Sequence, residues 1–137
     1  MMTVQRFGVD TPTSWFQRLD QQIFLADVLN QEHGAQMSVG YGRYGKGETN
    51  PWQVNYDEVL VITKGRFTVN GPGGPVSAGV GELLYLRAGT QVDYVADEDT
   101  EMVYVTYPHW YAATAESPRR TCSRSGTSHN ARPFLDA

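Results

Sequence analysis

Seven consecutive residues, Trp52-Gln53-Val54-Asn55-Tyr56-Asp57-Glu58, bring together an indole, two amides, a phenol and two carboxylates. The apolar run Val59-Leu60-Val61-Ile62 follows at once and breaks at Lys64-Gly65. Side chains alternate along a strand, so Glu58, Leu60 and Ile62 share one face, and Val59, Val61 and Thr63 the other. A carboxylate among Tyr, Trp, Leu and Val loses hydration, and its pKa rises unless a cation pairs with it. A carboxyl raised in this way serves as a general acid or base. Glu58 is therefore the expected catalytic carboxyl, with the Tyr56 hydroxyl beside it to donate a hydrogen bond or orient a polar substrate. The competing reading is a buried structural carboxylate satisfied by tyrosine hydroxyls or by Arg43. Trp52 walls a cavity in one reading and fills the core or a dimer contact in the other. Gln53 adds an amide that could contact substrate, Asn55 ties the loop to backbone groups, and Asp57 supports the loop.

The elements that must hold this cluster are short strands. Ile23 to Leu29 reads as a strand and Asn30 to Gly34 as a turn. Met37 to Tyr44 alternates large and small residues, giving a strand with one small-residue face that admits close approach of a ligand or another segment. Tyr41 and Arg43 on its larger face are candidates for the same cavity as Glu58, although the pattern does not fix which face turns inward. Gly45 to Asn50 reads as a flexible loop. After the central strand come a return strand at Arg66 to Asn70, a breaker-rich turn at Asn70 to Pro75, and strands at Val76 to Ala78, Leu83 to Leu86, Gln91 to Val95 and Met102 to Tyr107. On the last strand either Tyr104 and Thr106 or Val103, Val105 and Tyr107 face inward. Before Ile23 the chain reads either as a short helix capped by Thr11 or as an irregular arm pinned by Trp15 and Phe16. Close, even strand spacing without crossover helices predicts an all-β antiparallel sandwich or barrel rather than a parallel sheet.

The 137 residues suit one domain, expected over residues 1–115 with the barrel at about 23–111, and a mobile tail over 116–137. The formal net charge of −4 argues against nucleic acid as a partner. No apolar run reaches membrane-spanning length, so no membrane partner is expected. The single cysteine, Cys122, rules out an intrachain disulfide. With no signal-type apolar core at the start of the sequence, these features imply a soluble, cytoplasmic protein.

Two spacings resemble the motifs of the cupins, small double-stranded β-helix (jelly-roll) barrels. One is Glu58 and, after six intervening residues, Gly65; the other is Gly81, Arg87 after five intervening residues, and Gly89. Pro51-Trp52-x-x-Asn55-Tyr56-Asp57-Glu58, with Tyr104-Val105-Thr106-Tyr107-Pro108 and Trp110, narrows the resemblance to the EutQ family of ethanolamine-utilisation cupins over about residues 34–111. With Glu58 in the orientation the resemblance implies, Tyr56 and Glu58 point into the barrel, as do Thr90, Val92 and Tyr94; the candidate substrate-binding residues are Tyr41, Arg43, Trp52, Gln53, Tyr94 and Tyr104. In a metal cupin the ligands are three histidines and a glutamate. Laid on that pattern, the histidine positions fall at Pro51, Gln53 and Val92, and only Glu58 is kept. No transition-metal cofactor is expected, whereas Mg²⁺ shared with a substrate phosphate needs only one or two carboxylates. The family implies a small polar or anionic ligand and a link to acetate kinase activity, although the sequence has no P-loop pattern. A non-catalytic binding or assembly cupin is the alternative. A homodimer is expected by analogy.

Overall fold

The computed structural model describes residues 3–115. Ten strands are present: β1 (Phe16–Gln17), β2 (Ile23–Leu29), β3 (Ser38–Tyr44), β4 (Thr49–Val54), β5 (Asp57–Lys64), β6 (Arg66–Gly71), β7 (Gly74–Gly79), β8 (Leu83–Leu86), β9 (Thr90–Ala96) and β10 (Thr100–Tyr107). A 3-10 turn, Gln31–His33, follows β2, and a short helix, α1 (Trp110–Ala115), follows β10. The strands form a six-stranded sheet in the order β1-β2-β3-β10-β5-β8 and a four-stranded sheet in the order β4-β9-β6-β7. Every pairing is antiparallel. This is the expected all-β sandwich, and its core lies between the two inner faces. The proposed tail over 116–137 lies outside the described residues. No described helix is long and apolar enough to cross a membrane.

Alternation sets the core. Leu60 and Ile62 on β5, Phe67 and Val69 on β6, Val92 and Tyr94 on β9, and Met102 and Tyr104 on β10 are all buried. Phe67 is the hinge of the packing, meeting Tyr44 edge-on at 4.9 Å and stacking on Tyr94 at 5.7 Å between centroids. Such pairs add to the area they bury.

Residues 3–22 form an arm carrying the short strand β1 rather than a helix. Phe16 is buried against Trp110 and Tyr111, and Trp15 lies under the Arg43 guanidinium at 4.8 Å. The loop expected at Gly45 to Asn50 is shorter than read, because β4 already begins at Thr49. Pro51 signals a break, yet β4 is the edge of its sheet and pairs with β9 alone, so a missing N–H is tolerated there.

Two contacts fix the region around Glu58. Gly65, at φ 81°, turns the chain from β5 into β6 at a place where a Cβ would collide with the Asp99 carbonyl. The turn at Arg87 to Gly89 clamps the β4–β5 junction: the Gly89 N–H donates to the Val54 carbonyl at 2.7 Å, and the Ala88 N–H to Asp57 Oδ1 at 2.9 Å. Asp57 thus has the structural role expected of it.

The small-residue face of β3 turns inward. Gly40 and Gly42 stand opposite Tyr104 and Met102 of β10, which spread over them. A Cβ on Gly40 would collide with the Ala26 carbonyl and the Tyr104 hydroxyl. Gly40→Ala should therefore destabilise the fold by ~1–3 kcal/mol, read as a lower midpoint in urea or thermal unfolding. An unchanged midpoint would show that Tyr104 can move away freely.

Candidate functional site

The inner faces of the two sheets leave a cavity of about 30 Å³ between them. Glu58, the second residue of β5, is buried at its wall with 7% of its surface exposed. Its Oε1 accepts a hydrogen bond of 2.7 Å from the Tyr94 hydroxyl on β9, so the bond joins one sheet to the other. Loss of hydration raises the Glu58 pKa to about 7, and the Tyr94 bond offsets part of that rise.

Four phenols line the space, those of Tyr44, Tyr56, Tyr94 and Tyr104. Tyr56, in the β4–β5 connection, accepts from Trp52 Nε1 at 2.8 Å. Tyr44, the last residue of β3, accepts from Asn50 Nδ2 at 3.4 Å. In both cases the phenol is the acceptor, which leaves its own proton free to turn toward the cavity. Burial first, and the Glu58 carboxyl second, push the Tyr56 and Tyr94 hydroxyls well above their ordinary pKa. Burial likewise raises Tyr44. All three stay protonated at neutral pH and act as hydrogen-bond donors rather than bases. The Asn50 Oδ1 atom is buried without a hydrogen-bond partner.

A second polar knot closes the cavity from outside. Asp27 on β2 accepts the Tyr104 hydroxyl and Trp110 Nε1 (2.9 Å) on one oxygen, and Asn30 Nδ2 at 3.0 Å on the other. Trp110, the first residue of α1, thereby becomes part of the cavity wall. Burial, then the Asp27 charge, drives the Tyr104 hydroxyl far above its usual pKa.

The structure brings Glu58, Tyr56, Trp52, Tyr94 and Tyr104 together at the cavity. It does not bring Tyr41, Arg43 or Gln53 there. Tyr41 and Arg43 lie on the outer face of β3, because Tyr104 and Met102 need the glycine face opposite them. Arg43 is ion-paired with Glu101 at 2.8 Å, and the Tyr41 hydroxyl reaches the Phe7 carbonyl at 3.4 Å. Gln53 lies on the outer face of β4, whose inward residues are Asn50, Trp52 and Val54. The inward positions of β4 are thus one residue out of step with Pro51 and Gln53, where the resemblance set the first-motif histidines. The correction restores no histidine site, since the indole of Trp52 and the isopropyl group of Val54 cannot ligate a metal ion and the Asn50 amide is a weak ligand. With Val92 as the facing position on β9, this donor set does not fit a three-histidine metal centre. No group of three or more His, Cys, Asp or Glu among the described residues could hold a metal ion.

Sequence reasoning missed Tyr44, Asn50, Asp27 and Trp110. Asp27 had a signal, being the one acid inside the apolar run Ile23 to Leu29. His109, just past β10, is half-buried and shares a 2.9 Å hydrogen bond with Ser38 Oγ.

The raised Glu58 carboxyl makes stability depend on pH. The folded state holds the Glu58 proton to about pH 7, whereas an unfolded glutamate releases it near 4.5. Stability from this group is therefore complete below about pH 4.5 and is lost as pH rises through about 7. At ~1.4 kcal/mol for each pH unit, the loss is on the order of 3 kcal/mol. Glu58→Gln should flatten this fall between pH 5 and about 8, measured by denaturant unfolding of both proteins across that range. Parallel curves for the two proteins would contradict the buried, raised carboxyl.

Comparison with known proteins agrees with this architecture. The family model described as "Ethanolamine utilisation protein EutQ" matches residues 12–113. The acetate kinase EutQ of Clostridioides difficile (strain 630) is 28% identical over 91 residues, 66% of this chain and 57% of that protein. The acetate kinase EutQ of Salmonella typhimurium LT2 is 24% identical over 84 residues, 61% of this chain and 36% of that protein. The chain thus spans about a third to somewhat over half of the length of these curated relatives. Among solved structures, the Clostridium difficile EutQ protein superposes with a TM-score of 0.63 at 28% identity, covering 69% of this chain and 73% of that one. A Rhizobium leguminosarum protein of unknown function does so with 0.66 at 30% identity, covering 79% and 100%. A cupin superfamily protein from Desulfitobacterium hafniense, 12% identical with a TM-score of 0.57 over 67% of this chain and 82% of that one, shares the fold. The match over residues 12–113 establishes that this chain is a cupin of the EutQ family, related to ethanolamine utilisation.

Proposed function

We propose that the chain handles a small polar metabolite inside the barrel, with Glu58 as its acid–base carboxyl and without a three-histidine metal centre. One observation carries this reading. Glu58 stands at the wall of an aromatic cavity with a pKa of about 7, so both of its protonation states are populated at neutral pH. The Tyr56 and Tyr44 hydroxyls offer hydrogen-bonding groups to orient the ligand, and the Tyr94 bond holds the carboxyl in place. Tyr56 is proposed as the catalytic partner of Glu58, and Trp52, Tyr94 and Tyr104 as the binding surface.

Acetate kinase activity is a second reading, favoured by the names of the relatives. The cavity opposes it. Phosphoryl transfer needs cations around the phosphates, and no Lys, Arg or His is among the described residues lining the cavity. Mg²⁺ carried in with a phosphate would find one carboxylate there, Glu58.

The test is NMR of protein carrying ¹³C-labelled glutamate carboxyls, with the Glu58→Gln variant to assign the Glu58 signal. Glu58 should titrate near pH 7, and small polar compounds that bind should move its signal and lose affinity in the variant. Titration at an ordinary carboxylate pKa, with no compound perturbing the signal, would sink the proposal.

The expected homodimer has a suitable surface. The outer faces of β5, β8 and β10 present Val59, Val61, Val103 and Val105, with Leu83, Tyr85 and Tyr107 each about 60% exposed. An apolar sheet face of this kind marks an interaction surface, and a two-fold contact between copies would cover it. Light scattering after size exclusion should give twice the chain mass of 15.3 kDa, and Leu83→Glu with Tyr85→Glu should give the monomer. A monomeric parent protein would remove this proposal.

A further inference from the structure

Resting on Glu58 as the working carboxyl, we infer that the ligand of the barrel cavity is a small primary ammonium compound, not a carboxylate or a phosphate. Three features of the wall point this way. First, Glu58 is the only ionisable carboxyl among the described lining residues, and no cation lines the cavity to balance an incoming anion. Second, seven of the twelve lining residues are aromatic. Ring faces attract a cation through their quadrupole, and more strongly once it is desolvated. Third, Asn50 Oδ1 is buried without a partner. An ammonium carries three donors and no acceptor. The carboxylate, this amide oxygen and a phenol oxygen are the acceptors that the wall offers it.

Size narrows the class. A volume of about 30 Å³ takes roughly two water molecules. It suits a ligand of about two to four non-hydrogen atoms. Leu25, Leu60 and Met102 complete the wall and would meet the short carbon chain.

The charged and titratable surroundings are consistent with this sign. Tyr44, Tyr56, Tyr94 and Tyr104 face Glu58 from β3, the β4–β5 connection, β9 and β10, and burial keeps all four neutral. Asp27 on β2 is held behind Tyr104 and Trp110. The buried Arg18 acts on Tyr44, but it does not line the cavity and is bonded to Gln21. The causes acting on Glu58 are burial and the Tyr94 bond, with no cation among them. An ammonium ion would supply the missing counter-charge.

The experiment is saturation-transfer NMR and calorimetry on the full chain, with ethylamine and 2-aminoethanol as probes. 1-Propanol serves as a neutral control, and acetate and inorganic phosphate as anions. The amines should bind saturably, with dissociation constants on the order of millimolar for so few atoms. Their affinity should be about tenfold higher near pH 8 than near pH 6, because Glu58 must be ionised. Glu58→Gln should weaken them about tenfold or more, and 1-propanol should bind more weakly than either amine. The pH trend of the unmodified protein decides the matter even where the variant fails to fold. Acetate or phosphate binding as tightly as the amines, or amine affinity that rises toward pH 6 or ignores Glu58→Gln, would overturn the ammonium assignment. Acetate binding that strengthens toward pH 6 and disappears in Glu58→Gln would overturn it while leaving Glu58 as the working carboxyl. No saturable binding of any probe at concentrations about tenfold above the millimolar range would overturn it as well. If the Glu58 carboxyl also titrated like an ordinary glutamate, the parent reading would fall with it.

Discussion

The hydrogen bond between Glu58 and Tyr94 is the interaction on which the rest of the barrel's interior depends. It runs from β5 in one sheet to β9 in the other, through a region otherwise filled by rings and aliphatic chains. A carboxyl placed there is costly to ionise, and its single phenol partner offsets only part of that cost. The surrounding chain is arranged to keep it in place. The turn at Ala88 and Gly89 pins the start of β5, and Trp52 and Asn50 fix the two phenols that flank the space.

Packing around this bond explains why the cavity is small. Tyr104 and Met102 can lie over β3 because Gly40 and Gly42 stand opposite them. That choice turns Tyr44 inward and sends Tyr41 and Arg43 to the outside. The aromatic wall therefore rests on two glycines that carry no chemistry themselves. It also rests on an acid outside the cavity, since Asp27 gathers the Tyr104 hydroxyl and the Trp110 indole on one oxygen.

The fold was legible because its signals are local. Period-2 alternation and glycine turns mark β5 to β10 directly, and the register of Glu58 with Gly65 places the site. The inward placement of Glu58, Tyr56 and Tyr94 followed from alternation once Glu58 was given the cupin orientation. The orientation of β3 was not, because a strand of alternating large and small residues buries whichever face its neighbour leaves room for, and that neighbour is more than fifty residues away in sequence. The start of β4 was hidden by Pro51, whose presence is allowed only by the edge position of the strand. Asn50 and Trp110 acquire their roles through long-range packing, which local pattern does not encode. α1 is a single short element whose apolar residues carry no clear helical period.

Trp110 belongs at once to α1 and to the lining of the barrel, and Asp27 secures it from a third element. The terminal helix and the interior are therefore not independent parts. Any rearrangement that lifts α1 also removes one wall of the chamber and leaves an acid on β2 with fewer donors. Conversely, a molecule lodged inside would have the first residue of that helix as part of its wall. By thermodynamic reciprocity, what steadies one must steady the other to the same extent. Filling the barrel and seating the helix are two views of one equilibrium.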